Sequence, residues 1–201
     1  MSERASTRGY AEQATMLIAR YESIVPEEVH EKVLHLFPEG PCRTLDIGAG
    51  SGRDAAWFAA KGHTVVAVEP TAEMREAGMR LHPDPNIEWV DDDLPDLAAL
   101  ADDAPFDLIT LTAVWQHLDA DERKQGMARL AALARRDAVV ALLLRHGPVP
   151  EGRRMFQVTA EETAALAAAA GFAVLVNTPR RAIRGDAPAD VTWTAFAFRR
   201  L

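Results

Sequence analysis

The sequence predicts a doubly wound α/β domain, in which a mostly parallel sheet carries helices on both faces. From residue 43 onwards, short apolar runs alternate with helical segments. The run AVVALLL at 138–144 is apolar throughout, as expected for a strand covered on both faces. Right-handed crossovers place the connecting helices outside such a sheet. The last two runs, at 172–178 and 191–198, have only a polar loop between them, which predicts an antiparallel pair at one side.

Two helices are predicted before the first strand. Pro26 suits the first turn of a helix, and apolar residues then recur at helical spacing, which predicts one helix over residues 26–37. A shorter helix is predicted before it, ending near Tyr21. Residues 1–39 are therefore expected to form a helical extension, or partial lid, of a domain that spans residues 40–201.

The strands and helices of that domain are bounded by turn and capping residues. Asp119 and Glu122 have the spacing of a capping box, and Gly62 and Gly171 stand where helices are expected to end. The predicted strands are 43–47, 63–69, 87–90, 107–114, 138–144, 172–178 and 191–198. The intervening helices are predicted over 53–61, after Thr71, over a short Leu- and Ala-rich segment that follows the third strand, after Asp119 and after Thr159.

Composition excludes several classes of protein. A chain of 201 residues with 48% hydrophobic residues is long enough to bury a core without disulfides or a structural metal. A net charge of −8 opposes binding to nucleic acid or to an anionic membrane surface. The single Cys42 and the absence of an apolar leader or a long apolar segment predict a soluble, cytoplasmic protein.

A glycine-rich turn after the first strand is the most informative segment. It reads Asp46-Ile-Gly48-Ala-Gly50-Ser-Gly52-Arg53. A P-loop needs a Lys-Ser/Thr pair after its last glycine, and the dinucleotide fingerprint needs a third glycine at position 53; neither is present. Because the Asp46 carboxylate would repel a pyrophosphate and attract an ammonium group, the turn favours a cationic ligand.

This turn resembles motif I of the class I S-adenosylmethionine-dependent methyltransferases, and further motifs follow at the spacing of that family. An acid, Glu69, ends the second strand, 17 residues after Gly52. Three acids follow the third strand at 91–93, and Asp92 has the best register. Phe-Asp-Leu-Ile at 106–109 opens the fourth strand. The resemblance covers residues 40–201 and implies S-adenosylmethionine as cofactor and S-adenosylhomocysteine as product.

The resemblance also implies a role for individual residues. The acid and glycines of the turn would hold the methionine moiety, Glu69 the ribose hydroxyls, and Pro70 and Met74 the adenine. The implied cofactor-binding residues are Asp46, Gly48, Gly50, Gly52, Glu69, Pro70, Met74, Asp92, Asp93 and Ala113. An alternative for Asp92 is a solvated acidic loop. The implied Rossmann-like sheet has seven strands in the order 3-2-1-4-5-7-6, with the last strand antiparallel. One departure is at 135–138, where Arg-Arg-Asp-Ala replaces the frequent Pro-Gly-Gly turn.

Several absences narrow the acceptor to a small molecule. The fourth strand ends in Leu-Thr-Ala-Val-Trp, which lacks the Asn/Asp-Pro-Pro-Tyr motif of amino-methylating nucleic-acid and protein enzymes. Cys42 precedes the first strand, so it is not placed as a cytosine-attacking thiolate. The strand tip also lacks the aspartate that Mg²⁺-dependent catechol-type enzymes use, so no metal is expected. The predicted reaction is an in-line methyl transfer that depends mainly on alignment and water exclusion.

An acceptor pocket is predicted beyond the fourth and fifth strands, lined by Tyr21, Trp115, His117, Arg145 and His146. His117 and His146 are the candidate catalytic bases, with His117 preferred. Tyr21, Trp115 and Arg145 are candidate substrate contacts, and Arg153 and Arg154 could join Arg145 in holding an anionic acceptor. Trp115 is equally compatible with a core position, His117 with a helix-entry position and Tyr21 with an amphipathic anchor.

Two alternative functions stay open at this stage. One is a domain of the same fold that binds the cofactor or a partner protein without transferring a methyl group. The other is an NAD(P)-dependent oxidoreductase. Calorimetry against S-adenosylhomocysteine and NAD⁺ in parallel would separate the latter from a methyltransferase.

Overall fold

The computed structural model describes residues 7–101, 105–181 and 190–201. Its strands are β1 (Arg43–Ile47), β2 (Thr64–Val68), β3 (Ile87–Val90), β4 (Phe106–Thr112), β5 (Ala134–His146), β6 (Phe172–Arg180) and β7 (Thr192–Arg200). They form one seven-stranded sheet in the order β3-β2-β1-β4-β5-β7-β6. β1 to β5 pair in parallel, and β7 runs antiparallel to both of its neighbours. The predicted fold class and strand order are confirmed.

Helices cover both faces of this sheet. They are α1 (Ala14–Glu22), α2 (Pro26–His30), α3 (Arg53–Ala60), α4 (Ala72–Leu81), α5 (Ala120–Leu133) and α6 (Ala160–Ala169), with short 3₁₀ turns at Leu34–Leu36, Ala98–Leu100 and Trp115–His117. The predicted capping box is present at the start of α5, where Asp119 accepts from the Glu122 amide and Glu122 accepts from the Asp119 amide. At α6, the Thr159 hydroxyl likewise accepts from the Glu162 amide.

The prediction of one helix over 26–37 is wrong. α2 ends at His30, and a separate 3₁₀ turn follows at Leu34–Leu36. Only Val29, His30 and Val33 are buried in this segment, so little apolar surface is available to stabilise a longer helix. His30 is held at the helix end by a buried ion pair between its Nε2 and Asp54 Oδ2, 3.1 Å apart.

The fourth and fifth strands also differ from the prediction at their ends. β4 ends at Thr112 because Ala113 adopts a left-handed conformation with φ of 61° and donates its amide hydrogen to the Leu143 carbonyl. β5 begins at Ala134, directly after α5, and so includes the segment 135–137 that was expected to be a turn. Asp137, with φ of 68°, marks the irregularity in its pairing with β4.

The N-terminal segment 7–22 lies across the carboxyl edge of the sheet. Tyr10 contacts His117, which follows β4, and Gln13 contacts Arg153, which follows β5. At the other end of the segment, Glu22 accepts a hydrogen bond from Ser51 of the glycine-rich turn. The segment therefore closes over the ends of β1, β4 and β5.

Within the described part of the chain, no helix combines the length and the apolar character that a bilayer span requires.

Candidate functional site

A cavity of about 480 Å³ lies at the carboxyl edge, between the sheet and the N-terminal segment 7–22. This volume is within the usual range for small-molecule and cofactor sites. It is lined by the ends of β1, β2 and β4, where open α/β sheets bind their ligands. The predicted site residues that line it are Tyr21, Asp46, Gly48, Gly50, Glu69, Pro70, Met74, Asp92, Asp93, Ala113, His117 and Arg145.

Glycines let the β1 turn approach the cavity closely. Gly48 has φ of +68°, and a Cβ there would lie 2.4 Å from a methyl group of Val114. Gly50 has φ of +59°, and its Cβ would lie 3.4 Å from the Tyr21 ring. Side chains at either position would strain the turn or fill the cavity.

Gly52 does not line the cavity, so the prediction that it contacts the cofactor is not supported. Its Cβ would lie 2.7 Å from the Trp89 ring, and its φ is +86°. Glycine is needed at this position for packing against β3 and for the left-handed start of α3.

Asp46 is a buried carboxyl group at the end of β1, 3% exposed. Its Oδ1 accepts a hydrogen bond of 2.8 Å from the Thr110 hydroxyl of the neighbouring β4. Burial, and next the negative charge of Asp54, raise the pKa of Asp46 to about 7. A cation placed beside this carboxyl group would favour its ionised form.

Asp54, which the sequence analysis did not single out, lies beside Asp46 and also lines the cavity. Burial alone would raise the pKa of Asp54, but an ion pair with His30 and one with Arg53 at 2.7 Å outweigh burial and lower it. The proton in this pair of acids therefore belongs to Asp46. The available sequence signal was an acid directly after the glycine-rich turn, next to Arg53.

Glu69 follows β2 and is buried between two backbone amides. Its Oε2 accepts from Gly50 N and its Oε1 from Thr71 N, both at 2.8 Å. Burial raises the pKa of Glu69. The two amides fix the carboxylate at the cavity wall and leave the other lone pairs of its oxygens available to a ligand.

Asp92 accepts hydrogen bonds from the backbone of its own loop. Its Oδ1 accepts from Asp93 N at 2.9 Å and its Oδ2 from Ala99 N at 2.8 Å. The carboxylate is buried and lines the cavity, so it is not a solvated loop acid. It stabilises the loop after β3 and holds the amide of Asp93 at the cavity wall.

This set of residues fits S-adenosylmethionine better than a dinucleotide. Three buried acids, Asp46, Glu69 and Asp92, line one end of the cavity and suit an ammonium group, vicinal hydroxyls and an amine. At Gly48 and Gly50 a Cβ would occupy the space beside the turn, so the glycines let a ligand approach the backbone closely. The same acids would repel a pyrophosphate.

His117 and Tyr10 form a hydrogen-bonded pair at the other end of the cavity. His117 is 5% exposed, its Nδ1 lies 2.7 Å from the Arg154 carbonyl oxygen, and its Nε2 lies 3.0 Å from the Tyr10 hydroxyl. Because a carbonyl only accepts, Nδ1 carries the hydrogen and Nε2 accepts from Tyr10. Burial, and then the charges of Arg153, Arg154 and Arg145, lower the pKa of His117 despite its bond to the Arg154 carbonyl.

Comparisons with known proteins agree with this geometry. Residues 44–138, which include Asp46, Glu69 and Asp92, match the family model of a methyltransferase domain. An uncharacterised methyltransferase of Oceanobacillus iheyensis is 25% identical over 132 residues, which are 65% of this chain and 59% of the relative. The chain thus spans about three-fifths of the length of that curated relative.

Solved structures share the fold. The 1,6-didemethyltoxoflavin-N1-methyltransferase of Burkholderia thailandensis, solved with 1,6-didemethyltoxoflavin and S-adenosylhomocysteine, has a TM-score of 0.69 at 22% identity, over 100% of this chain and 92% of its own. An S-adenosylmethionine-dependent methyltransferase of Methanosarcina mazei has a TM-score of 0.68 at 16% identity, over 84% and 97%. Residues 44–138 thus match a methyltransferase domain, and the chain shares the fold of S-adenosylmethionine-dependent methyltransferases.

Two residues of the predicted acceptor pocket, Trp115 and His146, do not line the cavity. Trp115 is 0% exposed and packs in the core against α5, where a Cβ on Gly126 would lie 3.6 Å from its ring. The left-handed Ala113 directs the chain so that Trp115 faces the core and its neighbours face the cavity. His146 shares the sheet face of Leu144, and its Nε2 lies 2.8 Å from the Thr194 hydroxyl.

The end of the cavity near His117 includes residues that the sequence analysis did not assign. Tyr10 and Gln116 both line the cavity, and so does Arg153, which was considered only as a companion of Arg145. Tyr10 stands far from the strand ends in sequence, so no spacing signal connects it to His117. Gln116 lies between two residues that were singled out, on the 3₁₀ turn after β4.

Proposed function

We propose that this protein transfers a methyl group from S-adenosylmethionine to a small-molecule acceptor. The observation that carries the proposal is the convergence of Asp46, the Gly48–Gly50 turn and Glu69 on one cavity at the carboxyl edge of the sheet. The named substrate of the Burkholderia thailandensis structure, 1,6-didemethyltoxoflavin, supports an acceptor of small size. The cavity volume of about 480 Å³ is also of small-molecule size.

In this proposal the acids and apolar residues of one end hold the cofactor. Asp46 pairs with the ammonium group of the methionine moiety, and Glu69 accepts from the ribose hydroxyls. Met74, Pro70 and the Asp92-Asp93 loop contact the adenine, and Ala113 lies at the strand tip between the two ends of the cavity. The cofactor supplies a methyl group on a positively charged sulfur, which is a strong leaving group.

Residues 1–39 act as a partial lid in the same proposal. The described part of this segment covers the cavity through Tyr10, Gln13 and Tyr21. By excluding water and limiting the motion of the acceptor, the lid aligns the nucleophile with the methyl carbon. A new bond then forms between nucleophile and carbon, and the carbon–sulfur electron pair stays on sulfur, which gives S-adenosylhomocysteine.

An acceptor that holds a proton on its nucleophile loses it through the Tyr10–His117 pair. The Tyr10 hydroxyl oxygen accepts the proton while its own hydrogen passes to His117 Nε2, which is already its hydrogen-bond partner at 3.0 Å. The Arg154 carbonyl stabilises the resulting imidazolium by accepting from Nδ1. Tyr10 is therefore the group in contact with the acceptor, and His117 acts through it.

Calorimetry with S-adenosylhomocysteine and with NAD⁺ tests the cofactor assignment. We expect the wild-type protein to bind the former and not the latter. Glu69→Gln should weaken binding about 10- to 100-fold, because it removes a charge-assisted contact. Glu88→Gln, at an exposed position on β3, is the matched control and should leave the affinity unchanged. Binding of NAD⁺ alone would instead support an oxidoreductase.

Turnover distinguishes an enzyme from a binding domain of the same fold. Protein incubated with methyl-labelled S-adenosylmethionine and the small-molecule fraction of a cell extract should release labelled product. Binding of S-adenosylhomocysteine with no labelled product from any fraction would favour the binding domain.

A further inference from the structure

The acceptor end of the cavity contains polar atoms that the fold does not use. Gln116 is 2% exposed; its Nε2 donates to the Ala113 carbonyl at 2.5 Å, and its Oε1 is buried without a partner. Arg153 donates from Nη2 to Gln13 Oε1 at 2.7 Å, while its Nη1 is buried and unpaired. Neither atom has a hydrogen-bond partner among residues 7–101, 105–181 and 190–201, which the structure describes. Both side chains line the cavity, and each has one buried polar atom without a partner.

The two groups belong to one cluster. The Arg153 guanidinium lies over the Tyr10 ring, 3.5 Å from its centroid. The Tyr10 hydroxyl contacts His117, the residue that follows Gln116. All four residues line the same cavity, and Tyr10 contacts both Arg153 and His117, the residue after Gln116.

Two arginines that line the cavity, Arg153 and Arg145, form no ion pair among the described residues. Arg154 pairs with Asp119 and Glu122, and Arg53 pairs with Asp54. Arg145 donates a hydrogen bond to the Pro148 carbonyl, and the negative charge of Asp190 acts on the Arg145 guanidinium without forming an ion pair with it.

We propose that the methyl acceptor is a small anion. Its carboxylate or phosphate group pairs with the guanidinium of Arg153, supported by Arg145, and an N–H or O–H of the same molecule donates to Gln116 Oε1. The anionic group is separate from the nucleophile, so the methylated product is still an anion. This inference rests on the proposed methyl transfer and specifies its substrate class.

Two physical arguments favour this occupant over a neutral one. A buried charged donor without a partner is unfavourable, and an anion on Nη1 of Arg153 removes that penalty with a charge-assisted hydrogen bond. The field along the cavity also orients an anion, because the acidic residues that line its other end, among them Asp54 with its lowered pKa, repel it from there. A neutral acceptor would leave the guanidinium without a counter-charge.

The first experiment follows the charge of the product. Methyl label transferred from S-adenosylmethionine to the small-molecule fraction of a cell extract should appear in material that binds an anion-exchange resin at neutral pH. Arg153→Gln should lower the rate at limiting acceptor about 10- to 100-fold without changing the affinity for S-adenosylhomocysteine. Arg153→Lys should restore part of the rate, and the control Arg136→Gln, at an exposed position on β5, should match wild type.

Labelled product that passes through the resin, or equal rates for wild type and Arg153→Gln, would overturn the proposal.

A second experiment does not depend on turnover. Protein saturated with S-adenosylhomocysteine is heated with small carboxylic and phosphoric acids, each paired with its neutral amide, and its Tm is recorded. Acids should raise the Tm, amides should not, and Arg153→Gln and Gln116→Leu should abolish the increase. Stabilisation by amides to the same extent, or by none of the acids, contradicts an anionic acceptor. If the proposed methyl transfer itself is wrong, the first experiment gives no labelled product, and this outcome is distinct from a labelled product that is not an anion.

Discussion

The buried carboxyl group of Asp46 predicts that cofactor binding depends on pH near neutrality. Because its pKa is raised to about 7, Asp46 is mostly protonated in the ligand-free protein at pH 6 and mostly ionised at pH 8. An ammonium group beside it pairs with the ionised form only. Asp46→Asn removes the titration and keeps the shape of the side chain.

The size of the effect follows from linkage. Below a pKa of about 7, each pH unit reduces the ionised fraction tenfold, so the affinity for S-adenosylhomocysteine should be about 100-fold lower at pH 5 than at pH 8. The sign for stability is opposite. A folded-state pKa above the ordinary 3.8 means that the folded protein binds the extra proton, so stability falls as pH rises from about 4 to 7. Asp46→Asn should therefore stabilise the ligand-free protein at pH 8 by a few kcal/mol.

Calorimetry at pH 5, 6, 7 and 8 measures the affinity, and urea denaturation at pH 8 measures the stability. The Asn variant should bind weakly, with an affinity that does not change with pH and is close to the wild-type value at pH 5. Equal wild-type affinities at pH 6 and pH 8 would refute the reasoning, as would an Asn variant that is less stable than wild type at pH 8.

Three further predictions concern the turn, the ion pair and the proton path. Gly48→Ala places a Cβ 2.4 Å from a valine methyl group at positive φ, and should lower the free energy of unfolding by about 1–3 kcal/mol in urea; an unchanged midpoint contradicts this. Asp54→Asn removes the carboxylate that pairs with Arg53 and contacts His30, and should cost about 3–5 kcal/mol at pH 7. Since the pKa of Asp54 is lowered, this difference should shrink as pH falls below about 4, whereas a constant difference opposes the ion-pair explanation. Tyr10→Phe should reduce kcat about 10²- to 10⁴-fold for a proton-bearing acceptor with unchanged S-adenosylhomocysteine affinity. Because burial lowers the pKa of His117, the wild-type enzyme should keep its rate below pH 6.5. Full activity of the Phe variant would exclude the relay.

The fold could be predicted because its determinants are local in sequence. Each strand from β1 to β5 contains an apolar run, α5 and α6 begin with side-chain caps, and glycines follow the ends of α3 and α6. The errors occurred where long-range contacts decide the outcome. α2 ends at His30, held by Asp54 from a different helix, and β4 ends where Leu143 of β5 binds the Ala113 amide. Neither the Asp54 contact nor the Leu143 contact can be inferred from the sequence of the segment that it ends.

The candidate site shows the same division. Asp46, Glu69 and Asp92 stand at strand ends with fixed spacing, and the structure places all three at the cavity. Trp115 was misplaced because one left-handed residue, Ala113, changes which side chains face the core, and sequence alternation cannot reveal that change. Tyr10 could not be found at all, because it reaches the cavity through tertiary folding of a segment that precedes β1.

The two ends of the cavity are formed by different parts of the fold, strand ends at one and connecting segments at the other. This difference has a consequence for evolution and engineering. The acids at one end lie at or just after the ends of β1, β2 and β3, whereas Tyr10, Gln116 and Arg153 belong to connections outside the sheet. Connections tolerate exchange far better than buried strands do. Grafting residues 7–22 and 147–158 from a homologous protein could therefore retarget the chemistry to a new metabolite while the parental nucleoside affinity is inherited intact.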